Sequence, residues 1–132
     1  MGPAVKLARV LVVEDDPDIQ KVVRMSLKLR GVGEIVTVDN GADCLETLKR
    51  FTPDVILLDI MMPHLDGFET CRRLKENPAT SAIPVVFLTA RAQKADRDRG
   101  MRLGAAGYVI KPFDPMTLHD QIVTLLGGAR EG

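Results

Sequence analysis

A cluster of three acids near the N-terminus has the chemistry of a metal or catalytic site. The stretch LVVEDDPD spans residues 11–18, so Glu14, Asp15 and Asp16 directly follow an apolar run. Unit charges of like sign about 4 Å apart repel by about 4 kcal/mol at an effective dielectric of about 20. The cluster therefore predicts a compensating cation. Asp16 is also a suitable helix cap, because a proline follows it.

Three further polar residues stand where other apolar runs end. Asp59 ends the third run, Thr89 follows the fourth, and Lys111 follows the fifth. Mg²⁺ keeps several waters and binds one or two carboxylates together with phosphate oxygens. If the fold brings Asp59 to Glu14 and Asp15, these acids predict a Mg²⁺ site. The alternative is that the two N-terminal acids are solvated loop charges and that Lys111 is a surface residue paired with Asp59.

This combination of residues is suited to phosphoryl transfer. An aspartate carboxylate can act as a nucleophile toward phosphorus, and the transferred group has three equatorial oxygens that need partners. Mg²⁺ can bind one oxygen, Lys111 can pair with another, and the Thr89 hydroxyl with the Ala90 N–H can donate to the third. Pro112 predicts a fixed turn after Lys111, with a cis peptide bond as one of its forms.

Alternating strands and helices must position these residues. Five aliphatic or β-branched runs predict strands at residues 10–13, 35–38, 55–58, 85–88 and 108–110. Because most of them are continuously apolar, helices should cover both faces of a parallel sheet. The intervening patterns predict helices from Asp16-Pro17 to Gly31, from Asn40 to before Pro53, and at 67–76, 93–103 and 115–126.

The predicted helices differ in how many apolar residues they can bury. Helix 1 has Ile19, Val22, Val23 and Leu27, and helix 2 has Leu45 and Leu48. Helix 3 has Phe68, Cys71 and Leu74, and helix 5 has Leu118, Ile122, Leu125 and Leu126. The fourth helix has only Ala95, Met101 and Leu103 as apolar anchors and contains Gly100, which costs roughly 1 kcal/mol relative to alanine. It is expected to be weakly held, as moving elements are.

Strict alternation of strand and helix predicts an α/β fold. With right-handed crossovers it gives a three-layer α/β/α sandwich, flavodoxin-like, with a five-stranded parallel sheet in the order 2-1-3-4-5. In such sheets ligands bind at the carboxyl ends of the strands, where strands 1 and 3 diverge. We expect one domain at 9–127, preceded by an extension at 1–8 and followed by a tail or linker stub at 128–132.

Composition excludes several classes of protein. The 132 residues are 45% hydrophobic, enough for one core, and the 18 basic and 18 acidic residues cancel, so direct nucleic-acid binding by this domain is not expected. The apolar runs are too short to span a membrane, and no targeting signal is readable. Cys44 and Cys71 lack any metal-site spacing, which favours buried free thiols in a reduced, cytoplasmic protein.

Four motifs resemble one family in order and spacing. LVVEDD, VILLDIMMPHLDGFE, VVFLTA and GYVIKPF are similar to those of the receiver domains of bacterial two-component response regulators, including the chemotaxis receiver protein. The resemblance covers about residues 9–126. It implies that Asp59 is the phosphoacceptor, that Asp15 binds Mg²⁺ directly and Glu14 through water, and that Met61 offers its backbone carbonyl to the ion. Lys111 becomes the phosphate partner.

The same resemblance implies how a signal leaves the site. Thr89 would be the switch hydroxyl and Tyr108 the switch aromatic, whereas Pro63 and Gly67 match the turn after the phosphoacceptor. Phosphorylation would add about −1.5 to −2 charge units, draw Thr89 inward and allow Tyr108 to turn in. The face formed by helix 4, strand 5 and helix 5 would then bind a partner, an output domain or a second copy.

The resemblance also implies which proteins donate the phosphoryl group and how long the phosphorylated state lasts. A sensor histidine kinase or histidine phosphotransfer protein would supply the phosphoryl group, docking on helix 1 and the Pro112-Phe113 loop. In the family, the positions of Met61 and Arg91 tune hydrolysis, and neither side chain here can act as a base toward water. We therefore expect slow self-dephosphorylation and no multiple-turnover activity.

Three other functions compete with this interpretation. A haloacid-dehalogenase-type phosphatase also uses an aspartate and Mg²⁺, but it needs a second acid where Met61 stands. A flavodoxin-like cofactor binder wants a loop rich in Gly, Ser and Thr after strand 1, where EDDPDIQK would repel phosphate. An interaction module that is never phosphorylated would not need all of the residues assigned above to phosphoryl transfer. His64 and His119 are expected to be ordinary surface residues.

Overall fold

Five parallel strands form the sheet, in the spatial order β2-β1-β3-β4-β5. The computed structural model describes residues 6–62, 65–90 and 93–131, so Pro63, His64 and Arg91 lie outside the described residues. The strands are β1 (Arg9–Val13), β2 (Glu34–Val38), β3 (Val55–Asp59), β4 (Val85–Thr89) and β5 (Gly107–Ile110). The predicted order is confirmed, and each predicted strand matches an observed one to within a residue at either end.

Five helices connect and follow the strands: α1 (Pro17–Leu29), α2 (Gly41–Thr47), α3 (Gly67–Glu76), α4 (Lys94–Arg102) and α5 (Leu118–Glu131). Side chains cap three of them, since Asp16, Asn40 and Asp66 accept hydrogen bonds from the first-turn N–H groups of α1, α2 and α3. The predicted bounds of α3 are confirmed.

The predicted bounds of α5 were wrong, whereas α2 ends before Pro53 as predicted. After α2, the N–H groups of Lys49 and Arg50 bond to carbonyls three residues back, so tight turns replace the helix well before Pro53. Residues 115–117 likewise form a turn that is bonded to Asp114, which delays the start of α5. At the other end α5 continues past Leu126 to residue 131.

The sheet separates two apolar cores and forms the middle layer of a three-layer sandwich. In β1, Val10 and Val12 join the core under α1 and α5, whereas Leu11 and Val13 join the core under α2 and α3. Successive side chains of a strand point to opposite faces, so a strand covered on both sides must be apolar throughout. This explains the continuous apolar runs and confirms the three-layer prediction.

Several side chains differ from their predicted burial. Val22 is 39% exposed on α1, although Val23 and Leu27 beside it are fully buried. In α4, Ala95 and Met101 are exposed rather than anchored. By contrast, buried free thiols at positions 44 and 71 confirm the prediction for the two cysteines.

Within the described part of the chain, no helix combines the length and apolar character that crossing a bilayer requires.

Candidate functional site

The register of the sheet brings the acids of β1 and β3 to one edge. Val13 pairs with Leu58, so the residues that follow them, Glu14 and Asp59, lie at the same level. The Glu14 N–H donates to the Val38 carbonyl at 3.0 Å, which extends the β1–β2 ladder by one residue and fixes the backbone of the acid. The predicted convergence at the carboxyl edge is therefore observed.

Glu14, Asp15 and Asp59 form a carboxylate cluster. One oxygen from each lies within 4.8 Å of the other two. Glu14 is 1% exposed and Asp59 is 3% exposed, whereas Asp15 is exposed at the rim. Asp16 caps α1, its Oδ1 accepting from the Asp18 N–H at 2.9 Å, as predicted.

The cluster fits a small hard cation. Mg²⁺ binds oxygens at 2.0–2.1 Å in an octahedron, so two ligand oxygens lie about 3 Å apart when adjacent and about 4 Å apart when opposite. A separation of at most 4.8 Å needs only a small contraction to meet these values. Because like charges in a buried setting repel, the arrangement also gains from such an ion. The three residues therefore fit Mg²⁺ in number, type and spacing.

Lys111 supplies the positive charge already present in the cluster. Its ammonium lies 2.5 Å from Glu14 Oε1 and 3.4 Å from Asp59 Oδ1, and its side chain is 15% exposed. The alternative of a surface lysine paired with Asp59 was wrong about exposure, since the lysine is mostly buried, but the pairing with Asp59 is present beside the closer one with Glu14. The backbone N–H of Lys111 donates to the Thr89 carbonyl at 2.7 Å, and the Lys111–Pro112 peptide bond is cis.

Burial and charge act on this ion pair in opposite directions. Burial raises the pKa of Glu14 to about 7, although the hydrogen bond from Lys111 lowers it. Burial also lowers the pKa of Lys111, but its hydrogen bond to Glu14 and the charge of Asp59 outweigh that effect, so the net shift is upward. Lysine therefore stays charged, and the buried glutamate is the group that most needs further positive charge.

The loop after β3 is built tightly around Asp59. The Met61 N–H donates to Asp59 Oδ1 at 3.1 Å, and the Gly67 N–H donates to the Ile60 carbonyl at 3.0 Å. A Cβ at position 67 would lie 2.4 Å from the Asp59 carbonyl oxygen, so only glycine lets α3 begin so close to β3. The side chain of Met61 points outward and is 57% exposed.

Thr89 and Tyr108 lie on the same side of the sheet. Thr89 ends β4 and is fully buried, and the exposed Ala90 follows it. Two residues before Thr89, Phe87 pairs with Tyr108, and their rings stack with centroids 5.4 Å apart. The Tyr108 hydroxyl donates to the α4 backbone carbonyls of residues 96 and 97, at 2.8 and 2.9 Å.

Sequence reasoning missed one supporting residue. The Gln20 side-chain amide donates to the Glu14 carbonyl and, at 2.8 Å, to Asp39 Oδ1, so it ties α1 to the loops after β1 and β2. The signal available was its position, one helical turn after the cap residue Asp16 and therefore above the acidic loop.

A doubly wound parallel sheet that holds acids, a threonine and a lysine at its carboxyl edge defines the receiver class of two-component signalling proteins. Over residues 10–123 the sequence matches the family described as the response regulator receiver domain, and the chain belongs to that family. The predicted family, fold and phosphorylation-activated signalling class are thereby confirmed, and the rival functions are not favoured.

Known proteins of this kind resemble the chain in sequence. Protein PilH of Pseudomonas aeruginosa is 38% identical over 122 residues, which cover 92% of this chain and all of that protein. The phosphate regulon transcriptional regulatory protein PhoB of Rhizobium meliloti is 36% identical over 124 residues, covering 94% of this chain but 54% of PhoB. The chain thus spans about half the length of several transcriptional regulators that it matches.

Solved structures agree with the fold. The chemotaxis protein CheY4 of Vibrio cholerae superposes with a TM-score of 0.84 at 29% identity, covering 91% of this chain and 99% of that one. The signal receiver domain of a histidine kinase from Syntrophus aciditrophicus gives a TM-score of 0.81 at 31% identity, covering 95% and 94%.

Proposed function

We propose that Asp59 accepts a phosphoryl group from a phosphohistidine on a sensor histidine kinase or a histidine phosphotransfer protein. An Asp59 oxygen would attack phosphorus as the P–N bond breaks, and the histidine would leave with the electron pair of that bond. The observation that carries the proposal is the cluster itself: a nearly buried aspartate beside two other acids, with an ammonium 3.4 Å away. Such a site favours added positive charge and, with it, phosphate oxygens.

Glu14, Asp15 and Asp59 would hold Mg²⁺, together with the Met61 backbone carbonyl. The bound ion would neutralise charge on the carboxylates and on the incoming phosphoryl oxygens. Lys111 would move from its ion pair with Glu14 to a phosphoryl oxygen, and the Thr89 hydroxyl with the Ala90 N–H would donate to another. Lys111 is well placed for this exchange because both acids lie within 3.4 Å of its ammonium.

A groove beside Lys111 supports donor docking at the predicted place. It has a volume of about 380 Å³ and lies between the start of α1 and the loop after β5. Its lining is mostly apolar and consists of Asp18, Ile19, Val22, Ala90, Lys111, Pro112 and Phe113. The exposed Met25 and Leu29 continue the apolar surface along α1, as a helical partner would require.

Thr89 and Tyr108 would carry the change to the face formed by α4, β5 and α5. Tyr108 already contacts α4 through its hydroxyl, and α4 has only one buried residue, so a small change at β5 can re-pose this helix. That face would bind an output domain, another partner or a second copy of the chain. The relatives that are twice as long are called transcriptional regulators, which supports an output domain.

The domain would release its phosphoryl group slowly and would not turn over as a phosphatase. The side chain two residues after Asp59 is a methionine, which can neither abstract a proton from water nor orient it. Water attack on the phosphoryl group would therefore lack a protein base at this position.

Intact mass after exposure to acetyl phosphate and Mg²⁺ tests the proposal. Wild-type protein should gain one phosphoryl group, Asp59→Asn should gain none, and removal of Mg²⁺ by a chelator should abolish the gain. Asp54→Asn is the matched control, because Asp54 is an aspartate at the opposite end of β3 whose carboxylate accepts from the Ala8 and Arg9 N–H groups. Equal adducts in wild type and Asp59→Asn would refute Asp59 as the acceptor.

A further inference from the structure

Gly100 is the one buried residue within helix α4. Its N-cap, Gln93, makes no side-chain capping bond, and the apolar side chain of Met101 is 51% exposed. In place of an apolar stripe, α4 packs at Gly100 against Tyr108 of β5 and Phe87 of β4. Arg99 of α4 also lies over the Phe68 ring, 4.3 Å from its centroid.

The contact between Gly100 and Tyr108 leaves no room for a side chain at position 100. A Cβ there would lie 1.9 Å from the Tyr108 hydroxyl oxygen, 2.9 Å from its Cζ and 2.9 Å from Cε2 of Phe87. Ordinary van der Waals contact begins near 3.4 Å, so the phenol and the α4 backbone could not keep their present separation. The positive φ angles that favour glycine occur elsewhere, at Gly31 and Gly104, so packing rather than backbone conformation requires the glycine at position 100.

The phenol is held in place on three sides. Its ring stacks on Phe87 at 5.4 Å, its hydroxyl donates to the carbonyls of Asp96 and Arg97, and the edge beside Gly100 is closed by the α4 backbone. We define the Tyr108 slot as this space, bounded by Phe87, residues 96 and 97, and Gly100. Movement of Tyr108 out of the slot gives up the stacking and both hydrogen bonds.

We propose that Gly100 is a positioning residue that creates the Tyr108 slot and thereby sets the resting position of both Tyr108 and α4. The link to signalling rests on the proposed function, in which Tyr108 moves after Asp59 is phosphorylated. The slot itself does not depend on that function. In this arrangement the tyrosine is the anchor of the helix, and its departure releases α4 as a unit.

A simpler explanation treats Gly100 as a helix weakness that has no specific role. The two explanations predict opposite effects of alanine, which normally stabilises a helix relative to glycine. Gly127 is the matched control, since it lies within α5 and an ideal Cβ there meets nothing within 4 Å. Gly127→Ala reports the helix-propensity gain alone, and Gly100→Ala reports the same gain together with the clash.

Tyr108 reports on its own slot, because the chain contains one tyrosine and no tryptophan. In unphosphorylated protein without Mg²⁺, Gly100→Ala should raise acrylamide quenching of tyrosine fluorescence by about twofold, as a half-buried ring moves to an exposed rotamer. Burial raises the pKa of Tyr108, so its absorbance titration should also move toward that of free tyrosine. Gly127→Ala should match wild type in both readouts, and unchanged readouts in Gly100→Ala would overturn the proposal.

Urea unfolding, monitored by circular dichroism, tests the proposal even if Gly100→Ala is too unstable for the fluorescence measurements. Tyr108→Phe removes the oxygen that lies nearest to the new Cβ. The midpoint loss caused by Gly100→Ala should therefore be smaller in the Tyr108→Phe background than in wild type. Equal losses in the two backgrounds would show that position 100 does not act through Tyr108, and the proposal would fail.

Treatment with acetyl phosphate and Mg²⁺ tests the link between the slot and phosphorylation. Adduct formation is measured by intact mass. In wild type the tyrosine signal should change on phosphorylation, and in Gly100→Ala, where the ring starts outside the slot, the size of that change should differ from wild type. Equal changes in both proteins would overturn the proposal. Absence of an adduct in wild type would instead contradict the proposed function, while the unphosphorylated measurements would still decide for or against the slot.

Discussion

Replacement of Lys111 by methionine tests the electrostatics of the site in the unphosphorylated protein. The change leaves two nearly buried carboxylates without the ammonium that lies 2.5 and 3.4 Å from them. Removal of one partner from a buried ion pair costs about 3–5 kcal/mol, and the 15% exposure of the lysine side chain places this site near the lower end, at about 3 kcal/mol. With a typical slope of about 2 kcal/mol per molar urea, the midpoint should fall by about 1.5 M in a chelating buffer.

Mg²⁺ should reduce the loss of stability that Lys111→Met causes. The ion and the ammonium neutralise the same carboxylates, so the loss of lysine costs less when the ion is bound to the folded state. Urea titrations of wild type and Lys111→Met, each with chelator and with Mg²⁺, measure the effect. A loss below about 1 kcal/mol, well under the buried-pair range, or a loss that is the same with and without Mg²⁺, would refute the reasoning.

Lys75→Met is the matched control for this experiment. Lys75 is also partly buried, but its ammonium donates to the carbonyl oxygens of Ser81 and Ile83, at 3.0 and 2.8 Å, rather than to carboxylates. Its replacement should destabilise the fold to an extent that Mg²⁺ does not change.

Three other predictions concern packing, acid–base behaviour and phosphoryl lifetime. Gly67→Ala should lower the free energy of unfolding by about 1–3 kcal/mol, since its Cβ would overlap the backbone of Asp59 and Ile60. Gly127→Ala should not, and equal urea midpoints for the two variants would contradict the packing explanation. Burial raises the pKa of Cys44 from 9.0 to about 12, so at pH 9 its thiolate should be scarcer than in the unfolded chain by a factor of about 500, and alkylation correspondingly slow. The unfolded thiol releases its proton first, so stability should fall as pH rises from about 9 toward 12; rapid native alkylation at pH 9 would count against this burial. Met61→Asn supplies an amide that can orient water, so loss of the phosphoryl group, followed by intact mass, should become severalfold faster, and an unchanged or slower rate would contradict the role given to residue 61.

The sequence was sufficient to predict the sheet and the convergence of the three acids at its carboxyl edge. Strands covered on both faces must be apolar throughout, so the runs ending at Val13, Leu58 and Leu88 locate the strands and, with them, the polar residues at their tips. A parallel sheet then places those tips at one edge whatever the details of packing. This is why the Glu14, Asp15 and Asp59 cluster could be predicted without coordinates.

Sequence patterns could not predict the contacts that individual side chains make. Nothing in the residue types decides whether Lys111 lies nearer to Glu14 or to Asp59, because the choice depends on differences of about an ångström. The anchoring of α4 was also missed, since an apolar count favours Ala95 and Met101, whereas the buried contact is made by a residue without a side chain. A glycine inside a helical pattern often has a packing reason, and that was the available signal for Gly100.

The identity of the phosphorylated residue tests the central claim most directly. An aspartyl phosphate is an acyl phosphate, which borohydride reduces to the alcohol of homoserine with release of phosphate. Protein treated with acetyl phosphate and Mg²⁺, reduced and digested, should yield peptides in which homoserine replaces aspartate at position 59 and nowhere else. Homoserine at Asp15, or a phosphorylated protein that yields none at position 59, would contradict the assignment of Asp59 as the phosphoacceptor.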